Sequence, residues 1–196
     1  MNSTDRRVRR TQKSLGDALI ALALEKDYDE ITIQEITDRA DIGYRTFFRH
    51  YSDKDELLND VLSTVKVEMR ELMGPPPLEL FTDPNAQVTD LQSSKILFEH
   101  VQENSDLYRV LLFSDRSLVQ PLKDFAIQEF KANYGAFLET NIPFDIITNH
   151  MISSMITLLR WWLENDMCYP AEEMGDIAFR LIIQPIRNLI LQGVMK

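Results

Sequence analysis

The sequence has little of the residues that form disulfides, metal sites and tight turns. It contains one cysteine, Cys168, three histidines and six glycines in 196 residues. A single cysteine excludes an intramolecular disulfide and favours a reducing, cytoplasmic setting. The histidines lie far apart in the sequence, at His50, His100 and His150, and in no short ligand motif. We therefore expect neither a metal site nor a bound cofactor.

Long hydrophobic runs are also missing. Charged residues interrupt the most apolar stretches, and no run reaches the ~20 residues that a membrane-spanning helix requires. The basic start followed by the apolar segment 18–24 superficially resembles a secretory signal. That segment is short and is bracketed by Asp17 and Glu25, which favours part of an amphipathic helix over a secretory signal. No membrane partner is expected.

The acidic charge is unevenly distributed. The formal net charge is -10, yet residues 1–55 carry ten Lys/Arg against eleven Asp/Glu, and the rest of the chain carries eleven against twenty. Such a balance excludes a protein that coats nucleic acid with its whole surface. Residues 6–13 are purely basic, however, and Arg9 and Arg10 are candidates for contacts to DNA phosphates. A solvated helix end is the plainer alternative for this run.

Apolar residues recur with helical spacing throughout, and no stretch alternates as a strand does. We predict an all-α protein of about nine helices, with a three-helix helix-turn-helix head at residues 1–55 and a larger helical body at residues 56–196. One apolar stripe of the first helix consists of Leu15, Ala18, Leu19 and Leu22. Body helices are predicted at 88–104, 105–114, 117–140, 144–166 and 171–195, and Pro185 is expected to kink the last of them.

The head contains the local signals of two short helices joined by a turn. Residues 32–35, Thr-Ile-Gln-Glu, have the form of a capping box at the start of a second helix. That helix is predicted to end near Ala40, and residues 41–43 form a turn containing Gly43. Residues 52–55 are expected to cap a fourth helix.

The third helix, residues 44–51, divides into an apolar side and a hydrogen-bonding side, as a recognition helix must. Phe47 and Tyr51 are expected to pack on the first helix, while Tyr44, Arg45 and Thr46 face base edges in the major groove of a double-stranded DNA operator. Nearer the phosphates we expect Phe48, Arg49, His50 and Lys54.

At these residues the sequence resembles the TetR family of transcriptional regulators, over about residues 11–58. The matching positions are Thr32, Ile36, Ala40, Ile42, Gly43, the run Thr46 to Tyr51, Lys54, Leu57 and Leu58. The resemblance implies that Thr32 belongs to the DNA-binding set and that Lys54 approaches phosphate. It also marks a departure, because the family usually has Tyr at Phe48, and that hydroxyl commonly reaches a DNA phosphate.

The body is similar to one branch of the family, which includes regulators of dihydroxyacetone kinase genes, at residues 161–165 and 170–174. The resemblance implies a homodimer joined through the last two long helices, and an effector pocket enclosed by the middle helices. Dimer-interface candidates are Met174, Ile177, Leu181, Ile182, Ile186 and Leu189. Pocket candidates are Tyr108, Phe113, Phe125, Phe130, Phe137, Met151, Met155 and Trp161. Ordinary core packing is the plainer alternative for each pocket residue.

The function predicted is therefore a sequence-specific regulator of transcription, an effector-responsive repressor, controlled by a small molecule or a protein. One alternative is a helical protein-interaction module that has lost DNA binding. An enzyme is a third possibility, but the sequence has no Gly-rich phosphate loop, no Glu-x-x-His pair and no nucleophile elbow.

Overall fold

The computed structural model describes residues 3–73, 79, 83, 91–114, 118–135 and 142–194. Within these ranges every regular element is helical and no residue forms a strand, so the predicted all-α class is confirmed. The helices are α1 (Ser3–Ala23), α2 (Ile33–Ala40), α3 (Tyr44–Phe47), α4 (Lys54–Met73), α5 (Leu91–Glu103), α6 (Ser105–Phe113), α7 (Val119–Tyr134), α8 (Phe144–Glu164), α9 (Ala171–Ala178) and α10 (Gln184–Val194). A 3-10 turn at Tyr28–Glu30 follows α1, and a π turn at Phe179–Ile183 joins α9 to α10.

The body helices lie within a few residues of their predicted positions. Those predicted at 88–104, 105–114 and 144–166 correspond to α5, α6 and α8, and the one predicted at 171–195 corresponds to the continuous run from α9 to α10. The helix predicted at 117–140 corresponds to α7, and its residues 136–140 lie outside the described part of the chain.

Contacts divide the chain into two compact units. The first comprises Met1–Val67 and Asp106–Val110, and the second comprises Glu68–Ser105 and Leu111–Lys196. The functional division predicted between residues 55 and 56 stays a prediction.

The first unit is built on one face of α1. The predicted stripe is buried, because Leu15 and Leu19 have no exposed surface and Ala18 and Leu22 have almost none. A Cβ added at Gly16 would lie 3.0 Å from a methyl carbon of Val61, so α1 and α4 approach closely there. Burial of this apolar face stabilises the head.

The second unit has a core cluster in which three long helical segments meet. Residues from α7, α8 and the last helix bury Tyr134, Ile147, Met151, Ile182, Ile186 and Ile190 together.

Elsewhere in the second unit, α5 and α9 approach through Gly175, where a Cβ would lie 2.9 Å from the backbone N and Cα of Lys95. The approach requires glycine, because a backbone neighbour cannot rotate away as a flexible side chain can.

The last helix changes its hydrogen-bonding pattern just before Pro185. The amide of Gln184 donates to the carbonyl of Phe179, five residues earlier, and the π turn places one additional residue in that turn. A proline in an ordinary helix clashes with the carbonyl four residues before it. The π turn lies directly before Pro185 with helix on both sides of it, and the kink predicted there stays a prediction.

Candidate nucleic-acid interface

The capping box at the start of α2 is present as predicted. Thr32 Oγ1 accepts a hydrogen bond from the Glu35 amide at 3.2 Å, and the Thr32 amide donates to Glu35 Oε2 at 2.9 Å. Lys26 Nζ lies 2.6 Å from the other carboxylate oxygen. These donors lower the pKa of Glu35 to about 2, the hydrogen bond from Lys26 contributing most. The start of α2 is therefore fixed both by backbone amides and by an ion pair.

Two further contacts hold the head together. Arg39, near the end of α2, makes a two-pronged ion pair with Glu25 after α1, at 2.7 and 2.8 Å. At the start of α4, Asp53 Oδ1 accepts from the Glu56 amide at 2.8 Å while Glu56 Oε2 accepts from the Ser52 amide at 2.6 Å. The predicted cap of the fourth helix is confirmed.

Residues 41–43 form the turn between α2 and α3, as predicted. Asp41 adopts the left-handed conformation at the end of α2, with φ of 53°, and the Ile42 amide donates back to the Thr37 carbonyl at 3.0 Å. Gly43 has φ of -63°, which any L residue adopts, and serves as the N-cap of α3 without a side chain. The strained position of the turn is therefore Asp41 and not the glycine.

The recognition segment divides as predicted into a buried and an exposed side. Phe47 is fully buried and Tyr51 is 4% exposed, and Tyr51 Oη donates to Asp60 on α4 at 2.6 Å. That burial and that carboxylate raise the pKa of Tyr51. On the other side Tyr44, Arg45, Phe48 and Arg49 are exposed, and Thr46 and His50 are half-buried.

The exposed side carries an aromatic pair. Tyr44 and Phe48 meet edge to face with ring centroids 5.1 Å apart, and each is about half exposed. Phe48 also contacts Phe47 at 5.4 Å, which anchors the pair to the core. Beside them, Arg49 Nη2 donates to Thr46 Oγ1 at 2.9 Å. The surface therefore combines apolar rings with hydrogen-bonding groups.

The structure corrects the role predicted for Lys54. Its ammonium donates to three carbonyls, of Tyr28 at 2.7 Å, Asp29 at 3.1 Å and Ile31 at 2.8 Å, and lies 4.7 Å from the centre of the Tyr28 ring. An ammonium has three donors, and all three are used within the protein. Lys54 therefore fixes the segment before α2 and is a positioning residue, with no donor left for a phosphate.

The basic run lies on the first turns of α1, which begins at Ser3. Arg6, Arg7, Arg9 and Arg10 are all exposed, while Lys13 is paired with Asp17 at 2.9 Å. Arg6 and Arg10 are four residues apart and so share one side of the helix, where like charges repel. An anion beside this part of α1 would relieve that repulsion.

The predicted pocket residues do not form one group. Met151 is buried in the core cluster, and Phe130 and Met155 pack against it. Tyr108 is buried in the first compact unit, and the Phe125 ring lies 5.0 Å from the Arg70 guanidinium. Phe113 and Trp161 are 39% and 43% exposed, which corrects their assignment to an enclosed lining, and Phe137 lies outside the described residues.

Two family models match the chain. The model described as "Bacterial regulatory proteins, tetR family" matches residues 15–61, and "Transcriptional regulator C-terminal region" matches residues 91–184. The chain belongs to the TetR family of transcriptional regulators. The resemblance seen in the recognition helix is therefore confirmed. Members of the TetR family are transcription factors and not enzymes.

Relatives support this membership. An "Uncharacterized HTH-type transcriptional regulator" of Haemophilus influenzae is 27% identical over 123 residues, which are 62% of this chain and 58% of that protein.

Among solved structures, a TetR regulator of Streptococcus agalactiae is 23% identical with a TM-score of 0.63, covering 91% of this chain and 97% of that one. The dihydroxyacetone kinase operon activator DhaS is 14% identical with a TM-score of 0.61, covering 91% and 97%. These two likenesses show the fold alone, so the predicted branch stays a prediction.

The TetR-family dimer residues predicted in the last helix need correction. Met174 is fully buried and Ile182 and Ile186 are at most 8% exposed within a single protomer, so they offer no surface to a partner. Leu189 packs partly on the same core cluster, and Ile177 is half-buried. Leu181 is 67% exposed. Apolar spacing marks the inward face of a helix whether a protomer or a partner covers it.

No helix of the described residues is long and apolar enough to cross a membrane.

Proposed function

We propose that this protein is a homodimeric, effector-responsive repressor that binds a palindromic DNA operator in the cytoplasm. The observation that carries the proposal is the recognition surface of α3. Its polar and aromatic side chains are exposed, while Phe47, Tyr51 and the capping contacts on either side hold it rigidly. Because the recognition surface is exposed and the segment that carries it is firmly held, its side chains are well placed to fit the major groove of DNA.

Residues of the head divide by role. Tyr44, Arg45 and Thr46 at the amino end of α3 read base edges in the major groove, where an arginine pairs with guanine through two hydrogen bonds. Arg49 and His50 lie towards the phosphates, with Arg9 and Arg10 on α1 and Thr32 at the start of α2. Phe48 makes an apolar contact with the DNA where the tyrosine usual in the family would donate its hydroxyl to a phosphate.

The dimer places two copies of α3 in successive major grooves, at the roughly 34–36 Å spacing usual for two-fold helix-turn-helix dimers. We propose that the exposed Trp161 of α8, together with the exposed Leu181 and the half-buried Ile177 of the last helix, joins the protomers. Leu181 supports this most directly, because at 67% it is the most exposed large apolar side chain among the described residues. The remaining body, residues 56–196, binds the effector, a small molecule or a protein.

An electrophoretic shift with DNA from upstream of the protein's own gene tests the proposal. We expect saturation at nanomolar protein, and Arg45→Ala should lose about 1–3 kcal/mol of operator preference over random DNA. The matched control is Arg180→Ala, because Arg180 is also an exposed arginine and lies outside the head. Equal losses for both variants, or binding that does not distinguish operator from random DNA, would contradict the assignment.

The interaction-module alternative is not favoured, because the recognition surface and its caps are intact. If the folded protein gave no electrophoretic shift of DNA at low salt, the interaction module would be the better explanation.

A further inference from the structure

Arg160 is a partly buried arginine in the second compact unit, and it contacts a backbone carbonyl. It lies on α8, and its Nη2 donates to the carbonyl of Leu112, in the last turn of α6, at 2.6 Å. No ion-pair partner for Arg160 is found among the described residues. A guanidinium withdrawn from water without a counter-ion is costly, and proteins retain few of them without a reason.

Two polar atoms near this contact are covered and have no hydrogen-bond partner in the described structure. They are Nε of Arg160 and Oγ of Ser114. Ser114 follows Leu112 by two residues, so its Cα lies within about 7 Å of the Leu112 Cα. Arg160 and Ser114 thus bring unused donors to the same end of α6. Buried polar groups are normally satisfied, and exceptions mark strain, catalysis or a ligand.

The chemistry of these donors selects an anion. A guanidinium is a planar fork that matches the two oxygens of a carboxylate or phosphate, and a hydroxyl adds a further donor. A neutral ligand would use the hydrogen bonds but would leave the charge unpaired. The chain as a whole has a net charge of -10, yet none of the described acidic side chains forms an ion pair with this partly buried cation.

We propose that Arg160 and Ser114 bind the carboxylate or phosphate group of a small anionic effector. The inference rests on the proposed function in that the ligand is assigned to the effector-binding body. Capping of the α6 carbonyls is the competing role for Arg160, since a cation near a helix C-terminus is favourable by itself. Capping leaves the Nε donor and the Ser114 hydroxyl without a use.

The test follows the Nε–H resonance of Arg160, assigned through Arg160→Gln, in ¹⁵N-labelled full-length protein titrated with acetate or with inorganic phosphate. Sodium chloride at equal ionic strength and acetamide are the controls. We expect a saturable shift with at least one of the two anions, which identifies whether a carboxylate or a phosphate is preferred, and none with acetamide. Ser114→Ala should weaken binding by roughly tenfold or more, through one lost hydrogen bond to a charged group.

Shifts no larger than those caused by chloride would overturn the proposal and leave Arg160 as a cap of α6. Arg160→Gln keeps a donor for the Leu112 carbonyl; if it fails to fold, Arg160→Lys and Ser114→Ala carry the same comparison. The electrophoretic shift is measured separately without added anion. A wild-type protein that binds acetate or phosphate but no DNA would refute the proposed function alone, and the reverse result would refute this inference alone.

Discussion

Asp41 holds the one backbone conformation in the helix-turn-helix that a side chain disfavours. Its φ of 53° and its negative charge at the C-terminus of α2 are both unfavourable. We expect Asp41→Gly to raise the free energy of unfolding by about 1 kcal/mol, as measured from urea denaturation. Asp41→Asn removes the charge and keeps the side chain, so it separates the two effects. A loss of stability in both Asp41→Gly and Asp41→Asn would mean that the carboxylate makes a contact which outweighs the strain, whereas a loss in Asp41→Gly alone would reflect the greater freedom of glycine in the unfolded chain.

Lys54 permits a test of its corrected role. Replacing it with Met leaves three carbonyls without their donor, and we expect destabilisation of about 1–3 kcal/mol. The slope of log affinity for operator against log salt should stay unchanged, whereas Arg10→Ala should reduce that slope by about one. A reduced slope for Lys54→Met would restore the phosphate contact that the sequence predicts.

The two outcomes at Thr32 and Lys54 show what sequence can and cannot establish. The Thr32 capping box was predictable because its partners are three residues apart in the chain. The acceptors of Lys54 lie more than twenty residues earlier, so no local pattern indicates them. A charged residue at a motif position predicts a charge interaction, and only the fold shows with which group it is made.

At the scale of the element, the start of α2 should respond to pH. The pKa of Glu35 is about 2 in the folded protein against 4.5 for the free side chain. Because the folded pKa is the lower one, ionised Glu35 stabilises the protein above about pH 4.5, and that stabilisation is lost as the pH falls towards 2. Glu35→Gln should therefore be less stable than wild type at pH 7, by a margin that shrinks at pH 3 in urea denaturation. Glu103→Gln, an exposed acid in the body, is the control.

The packing of α5 against α9 should tolerate no side chain at Gly175. Gly175→Ala places a methyl group 2.9 Å from the Lys95 backbone, and overpacking of this kind costs about 1–3 kcal/mol. Gly43→Ala adds the same methyl group where the nearest atom is 3.9 Å away, and its effect on the thermal unfolding midpoint should be small. Equal destabilisation by both would show that the close contact with the Lys95 backbone does not control the result.

For the whole molecule, the proposed dimer depends on side chains that a protomer leaves exposed. Leu181→Glu should shift the sedimentation equilibrium towards monomer, because a carboxylate would be buried without a partner in the interface. Val67→Glu changes a residue that is 48% exposed and makes the control. Retention of the dimer by Leu181→Glu would place the interface elsewhere. The positions of α8 and of the last helix were predictable from the spacing of their apolar residues. Which apolar face the protomer itself covers was not predictable from that spacing.

Trp161 and Trp162 give the molecule a further property. They are its two tryptophans and are adjacent in the chain, yet Trp161 is 43% exposed while Trp162 is fully buried against Phe98, its indole N–H donating to the Tyr169 carbonyl at 2.9 Å. Iodide quenches the fluorescence of indoles in contact with solvent, so it distinguishes these neighbours. The unlabelled protein therefore carries two optical signals, one sensitive to coverage of the α8 surface and one sensitive to loss of the core.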